Sequence, residues 1–337
     1  MAEFIRPLLL GQGQSNSVAW HGCLVTKLLQ ISSFARGYLV LFFTFIGNLD
    51  SRGTMANAPF NSSAFEFEKT VEPGDMLNFV KNNFMLSVWS SAVYVLVIFG
   101  GKSIMERKDK FGLSNILALW SGLLAIFSVV GTARMWPELI HVLRFESFYS
   151  STCIAGYMQH HVTQFWTGLF MLSKIIELGD TVFIVLRKQP LIFLHWYHHI
   201  TVLLYTWYCL LEEAAPGRWF MCINFAVHAV MYSYYALRAM KFRVPNQVRM
   251  VITLLQLIQM VIGCYINFYV YSTKNQGKFC QISYENIRYS FLMYFSYFIL
   301  FAKFFYDAYI NPPARPVPLV SEEKRRIAKS RAAQKVE

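Results

Sequence analysis

Read for hydrophobic and polar positions alone, the chain is a series of long apolar runs separated by short polar breaks. Mostly apolar stretches recur at residues 84–100, 114–133, 164–186, 190–211, 219–238, 249–271 and 289–310. Each is long enough, as a helix, to cross a hydrocarbon core about 30 Å thick. The pattern predicts an all-α polytopic membrane protein with seven transmembrane helices. Residues 1–65 depart from it: their best run, GYLVLFFTFIGNL at 37–49, is short for a span. A disordered or interfacial N-terminal extension is therefore expected at 1–65, a transmembrane domain at 66–312 and a basic tail at 313–337.

Composition agrees with a membrane class and excludes an ordinary soluble domain. Hydrophobic residues make up 55% and charged residues 15%, against about 25% charged in soluble domains. Orientation follows from Lys and Arg in the breaks, because basic loops resist translocation. Taken alternately, the breaks at 101–113, 187–189 and 238–249 hold ten basic residues, while those at 134–163, 212–218 and 272–288 hold six in nearly twice the length. The first set is read as cytosolic, which puts the N-terminus in the lumen and the C-terminus in the cytosol. The net charge of +12 owes much to the tail RPVPLVSEEKRRIAKSRAAQKVE, read as a topogenic and lipid-headgroup segment rather than a nucleic-acid site. The six cysteines form no CxxC and fit no metal spacing, so no metal is expected. Cys153 and Cys280 fall in two lumenal breaks, where a disulfide between them would persist. The sequon NSS makes Asn61 a glycosylation candidate on the same side.

Four of the runs carry polar stripes where polarity is costly, and each is a site hypothesis for that reason. In FLHWYHHITVLLYTWY, His195, His198 and His199 stand at i, i+3 and i+4 and share a helix face. Lys174, Glu177, Asp180 and Thr181 line one side of the preceding run. Asn224, His228, Met231 and Tyr235 form a third stripe, and Thr253, Gln256 and Gln259 a fourth. Counted from each run's cytosolic end at about 1.5 Å per residue, these groups lie at one level, on the order of 10–15 Å deep. One polar chamber accounts for them better than scattered interhelical hydrogen bonds. The aromatic stripe of the last run, YSFLMYFSYFILFAKFFYDAY, reads as packing and interfacial belt, with Lys303 able to snorkel.

Four motifs, KxxExxDT at 174–181, HxxHH at 195–199, HxxMYxYY at 228–235 and TxxQxxQ at 253–259, occur in the order and spacing of the ELO-type very-long-chain fatty acid elongases. The chain resembles that family over about residues 65–312, and RKQPLIFLHWYHHITVL and VHAVMYSYYALRA look closest to the animal elongases 3 and 6, which act on saturated and monounsaturated chains. The resemblance implies a membrane-bound 3-ketoacyl-CoA synthase of the endoplasmic reticulum, its last six spans enclosing an acyl tunnel. Its substrates would be a long-chain acyl-CoA and malonyl-CoA, with no further cofactor. The reductases and dehydratase of the elongation cycle, and a second copy of the chain, are the implied protein partners.

The resemblance also points to the middle histidine, His198, as the acylated residue, and with no cysteine on the right side of the HxxHH motif a thiolase-like cysteine nucleophile is unsupported. His195 and His199 would orient or exchange protons, and Asp180 and Glu177 would fix their tautomers. His228, Asn224, Gln256 and Tyr235 are candidates for the thioester oxygen and the malonyl group. Lys174, Thr181 and Gln259 would complete the chamber. Arg187, Lys188, Arg238 and Lys241 would meet the coenzyme's phosphates at the cytosolic rim. Five rings at lumenal ends, Trp207, Trp219, Phe220, Tyr265 and Phe268, are candidates for closing the tunnel. Two other classes fit the pattern less well: a membrane di-iron desaturase or hydroxylase, which also carries HxxHH, and a non-enzymatic lipid-binding membrane protein.

Overall fold

The computed structural model describes Phe60, residues 63–72 and residues 74–311, and among them every regular element is helical. A 3₁₀ turn, Glu66–Thr70, precedes α1 (Asp75–Glu106) and α2 (Ser114–Phe145), both far longer than the apolar runs inside them. After the short α3 (Phe148–Cys153) and a 3₁₀ turn at Gly156–Gln159 come α4 (His161–Ile176) and α5 (Gly179–Leu186). Then follow α6 (Phe193–Leu211), α7 (Gly217–Ala239), α8 (Asn246–Asn275) and α9 (Tyr284–Phe305), the last running on into a π turn at Tyr306–Ile310. Asn61 and the basic tail lie outside the described residues.

Among the described residues five elements are long and apolar enough to cross a membrane: α1, α2, α7, α8 and α9 with its π turn. The seven runs of the sequence therefore resolve differently at two places. The run at 164–186 is not one rod but α4 and α5, with Glu177 and Leu178 between them. The run at 190–211 becomes the 19-residue α6, whose three histidines lower its hydropathy.

Packing gives these helices a cyclic order. α2 lies against α7, α7 against α8, α8 against α9, α9 against α6, α6 against α4, and α4 against α2. α1 packs outside this ring on α6, α4 and α5. Its outward side keeps large apolar residues such as Trp89, Leu96 and Ile104 exposed, as a lipid-facing helix does. The two ends of the ring are pinned by different contacts. At one end a disulfide joins Cys153 to Cys280 across 127 residues, and the Ala215 amide donates to the Gln281 carbonyl at 2.9 Å. At the other the Phe111 amide donates to the Leu186 carbonyl at 3.1 Å, and Lys188 Nζ to the Lys108 carbonyl at 2.9 Å.

Candidate active site

The break between α4 and α5 turns the side chains of Lys174, Glu177 and Asp180 toward different partners. Gly179 makes the turn possible, since a Cβ there would stand 2.7 Å from the Trp120 ring. Lys174, 2% exposed, donates through Nζ to Glu177 Oε1 at 2.8 Å and to Asn224 Oδ1 at 2.9 Å. The Asn224 amide lies 3.1 Å from His228 Nε2, and His228 Nδ1 faces Glu177 Oε2 at 3.7 Å. Ser173 Oγ donates to Glu177 Oε1 at 3.0 Å. Lysine, carboxylate, amide and imidazole thus close one buried circuit, in which the charges are paired and the polar groups partnered, as burial requires.

Asp180 belongs to a second network. Trp120 Nε1 donates to Asp180 Oδ1 at 2.7 Å and the Tyr232 hydroxyl to Oδ2 at 2.6 Å, while Thr181 Oγ1 meets the Tyr94 hydroxyl at 2.7 Å. The sequence-based expectation that Glu177 and Asp180 orient His195 and His199 finds a different arrangement. Glu177 faces His228, and Asp180 is held by a Trp and a Tyr from two other helices.

The three histidines of α6 form an aromatic cluster. The His195 and His199 rings are 4.5 Å apart edge to face, and His198 and His199 are 5.6 Å apart. Tyr297 of α9 sets its ring edge to face with His198 at 4.7 Å and donates its hydroxyl to the His198 carbonyl at 3.3 Å. One nitrogen of each imidazole, His195 Nε2, His198 Nδ1 and His199 Nδ1, is buried without a hydrogen-bond partner among the described residues. Buried polar atoms are ordinarily satisfied, so three orphans in one cluster make it a candidate site.

Beside this cluster a cavity of about 50 Å³ lies among the helices of the ring. His198, Asn224 and Gln259 line it at the chamber, with Phe170, Met260 and Tyr297 beside them. It follows α6 past Val202 and Thr206 to Cys209 and Leu210, about 18 Å along the helix. The far end is lined by Tyr157, whose hydroxyl donates to the Ala214 carbonyl at 3.1 Å, and by Gly217, where a Cβ would come within 3.0 Å of that hydroxyl. Arg218 fixes this end, paired with Glu138 at 3.1 Å and donating to the Ile154 carbonyl at 3.1 Å.

Of the five rings expected to close a tunnel, Phe220 alone lines it. Trp207 and Trp219 are buried in packing, the latter donating to Ser151 Oγ at 3.1 Å. Tyr265 and Phe268 line a separate groove near Lys278.

The remaining candidates are spread around the chamber. Gln256 Nε2 lies 3.3 Å from Met231 Sδ, Thr253 Oγ1 lies 3.2 Å from the Tyr309 hydroxyl, and Tyr235 packs on Tyr232 and Tyr234. Arg187, Lys188, Arg238 and Lys241 sit at or just beyond the C-terminal ends of α5 and α7, outside the cavity, with Arg238 and Lys241 exposed. Lys303 pairs with Asp307 at 2.6 Å on the surface. Tyr94, Trp120, Tyr232 and Tyr297 were not singled out from the sequence. Tyr232 and Tyr297 stand inside quoted motif stretches, whereas Tyr94 and Trp120 carry no local signal at all. Among the described residues no group of three or more His, Cys, Asp or Glu side chains is arranged to hold a metal ion.

Comparison with known proteins gives this arrangement a context. Residues 79–317 match the model of the ELO, or GNS1/SUR4, family. The chain is 49% identical over 286 residues to very long chain fatty acid elongase 6 of Drosophila melanogaster, covering 82% of this chain and 87% of that one. To very long chain fatty acid elongase 6 of Homo sapiens it is 47% identical over 247 residues, 73% of this chain and 93% of the other. To very long chain fatty acid elongase 3 of Mus musculus it is 44% identical over 241 residues, 72% and 89% of the two chains.

Proposed function

The chain belongs to the ELO family, and from that premise we propose that His198 is the nucleophile of its reaction. The protein is a fatty acid elongase, an acyltransferase that condenses a long-chain acyl-CoA with malonyl-CoA to 3-ketoacyl-CoA, CO₂ and CoA. The observation that supports the proposal is that His198 lines a mostly apolar cavity and has an imidazole nitrogen left unpartnered among the described residues.

An imidazole nitrogen of His198 attacks the thioester carbon, the C–S bond breaks, and the CoA thiolate leaves with a proton, giving an acyl-imidazole. Malonyl-CoA then loses CO₂, its C2 carbanion attacks the acyl carbon, and the C–N bond breaks to release 3-ketoacyl-CoA, the departing imidazolate taking one proton from water to restore the free imidazole. The circuit of Lys174, Asn224, His228 and Glu177 reaches the cavity through Asn224, which lines it together with His198. Its amide and ammonium donors suit the oxyanion and enolate that develop in the two steps. His195 and His199 relay protons. Gln256, Gln259, Thr181 and Tyr235 shape the malonyl side, and Arg187, Lys188, Arg238 and Lys241 take the coenzyme's phosphates.

In this reading the broken rod α4–α5 and the histidine-bearing α6 are the two spans that hydropathy alone does not register, making seven, the last six around the acyl tunnel. The histidine-rich mouth opens toward the cytosol and the tunnel closes toward the lumen of the endoplasmic reticulum. The N-terminus and a glycan at Asn61 are lumenal, the C-terminal tail cytosolic. The reductases and dehydratase that process a 3-ketoacyl-CoA, and a second copy of the chain, are the proposed partners. Purified His198→Ala should remain folded and lose acyl-CoA-dependent release of CO₂ from malonyl-CoA. Release at near wild-type rate would remove His198 from the mechanism.

A further inference from the structure

The cavity wall is mostly apolar, and of the polar side chains in it only His198 and Thr167 have a buried atom without a hydrogen-bond partner among the described residues. Thr167 of α4 lines it and is 3% exposed, yet its Oγ1 has no hydrogen-bond partner among the described residues. A threonine inside a helix normally returns its hydroxyl to the carbonyl four residues back. Thr132, Thr201, Thr206 and Thr253 of this protein all do so. Thr167 does not, and one turn further toward the closed end Gln164, wholly buried, leaves both its amide atoms unpartnered as well. Buried hydroxyl and amide groups without partners are costly. A tunnel wall that served only saturated hydrocarbon would gain by carrying Val and Leu here.

Thr167 lies seven residues from Lys174, the chamber's lysine, along the same helix. That is about 10 Å, on the order of eight carbons of extended chain beyond the thioester.

We propose that Thr167 is a specificity residue for mid-chain polarity, by which this elongase accepts acyl-CoAs bearing a hydroxyl near the middle of the chain. A chain hydroxyl at that depth gains a hydrogen bond with Thr167 Oγ1, donor and acceptor roles being interchangeable between two hydroxyls. Elsewhere the wall is largely methionine and aromatic, as at Met171, Phe170 and Met293, and the hydroxyls of Tyr157, Tyr205, Thr206 and Tyr297 already donate within the protein. Acceptance therefore depends on position rather than on polarity in general. The inference rests on the reading of the cavity as the acyl tunnel.

The test is a series of C16 and C18 acyl-CoAs with one hydroxyl walked along the chain. Each is scored as kcat/KM for condensation relative to the unsubstituted chain in the same enzyme preparation, which cancels differences in folding. Wild type should show one maximum, near the eighth to tenth carbon, on the order of tenfold above positions four carbons away. Thr167→Val should flatten that maximum, and Thr167→Ser, which keeps the hydroxyl, should retain it. A wild-type profile without a maximum, or one that survives in Thr167→Val, overturns the proposal. If the unsubstituted chains themselves are not condensed, it is the acyl-tunnel reading that fails.

Discussion

Lys174 is the residue on which structure and chemistry are hardest to separate, because it is both a buried cation and a member of the site. Its ammonium is held by Glu177 and Asn224 and stacks 4.2 Å from the Phe170 ring. Replacing one partner of a buried pair leaves the other charge uncompensated, and Lys174→Met should cost about 3–5 kcal/mol of stability. Lys174→Met combined with Glu177→Leu removes both charges and should recover most of that loss while condensation stays absent. Thermal melting of the purified variants beside a CO₂-release assay checks both halves. Recovery of activity in the double variant would make the pair a structural prop. The sequence displayed this residue and its motif plainly, as it did HxxHH and Asn224. What it withheld were partners distant along the chain. Trp120 reaches Asp180 across 60 residues, Tyr94 reaches Thr181 across 87, and Tyr297 reaches His198 across 99. Neither hydrophobic period nor motif spacing carries information over such separations, since only the closed ring of helices brings them together.

At the scale of elements, apolar periodicity located the helices but not the break in the run 164–186, where α4 gives way to α5 at Glu177 and Leu178. Hydropathy averages over a window and passes across a single turn. The packing of Gly179 on Trp120 that accommodates the turn is a tertiary contact. The 3₁₀ turn before α1 was likewise invisible as an anchor. Glu68 within it is fully buried, accepting from Arg134 Nε at 2.8 Å and Nη2 at 2.5 Å, from Trp166 Nε1 at 2.8 Å and from the Phe65 amide at 2.9 Å. Burial alone would raise the Glu68 carboxyl, but these donors outweigh it and hold its pKa below the usual 4.5. A depressed folded-state pKa contributes stability that is fully present above pH 4.5 and is lost as pH falls through the folded value. Melting temperature should therefore drop on acidification below pH 4.5, and Glu68→Gln, less stable at pH 7, should show a shallower drop. Parallel curves for the two proteins would show that this anchor does not titrate with folding.

For the molecule as a whole, the acyl-tunnel proposal lets the ring of helices limit substrate length where Tyr157, Cys209 and Gly217 line the cavity, rather than at the row of rings that the sequence suggested. Aromatic residues at helix ends are common in membrane proteins as an interfacial belt, which is why position alone did not tell Phe220 from Trp207, Trp219, Tyr265 and Phe268. Gly217→Ala puts a methyl group 3.0 Å from the Tyr157 hydroxyl and 3.3 Å from Cys209 Sγ, so the longest product should shorten by at least one two-carbon step. Phe220→Ala removes a lining ring and should lengthen it, while Trp219→Ala should leave chain length unchanged. Gas chromatography of products from a mixed acyl-CoA pool reads all three.

The account as a whole depends on an acyl group passing from sulfur to a histidine nitrogen at the mouth of that cavity. Its most direct measurement is mass spectrometry of the purified enzyme given acyl-CoA and no malonyl-CoA. One acyl mass on the peptide containing His198, with an equal amount of free CoA released, is the predicted result. An enzyme that condenses normally when malonyl-CoA is added, yet neither acquires an acyl mass nor releases CoA beforehand, would contradict it.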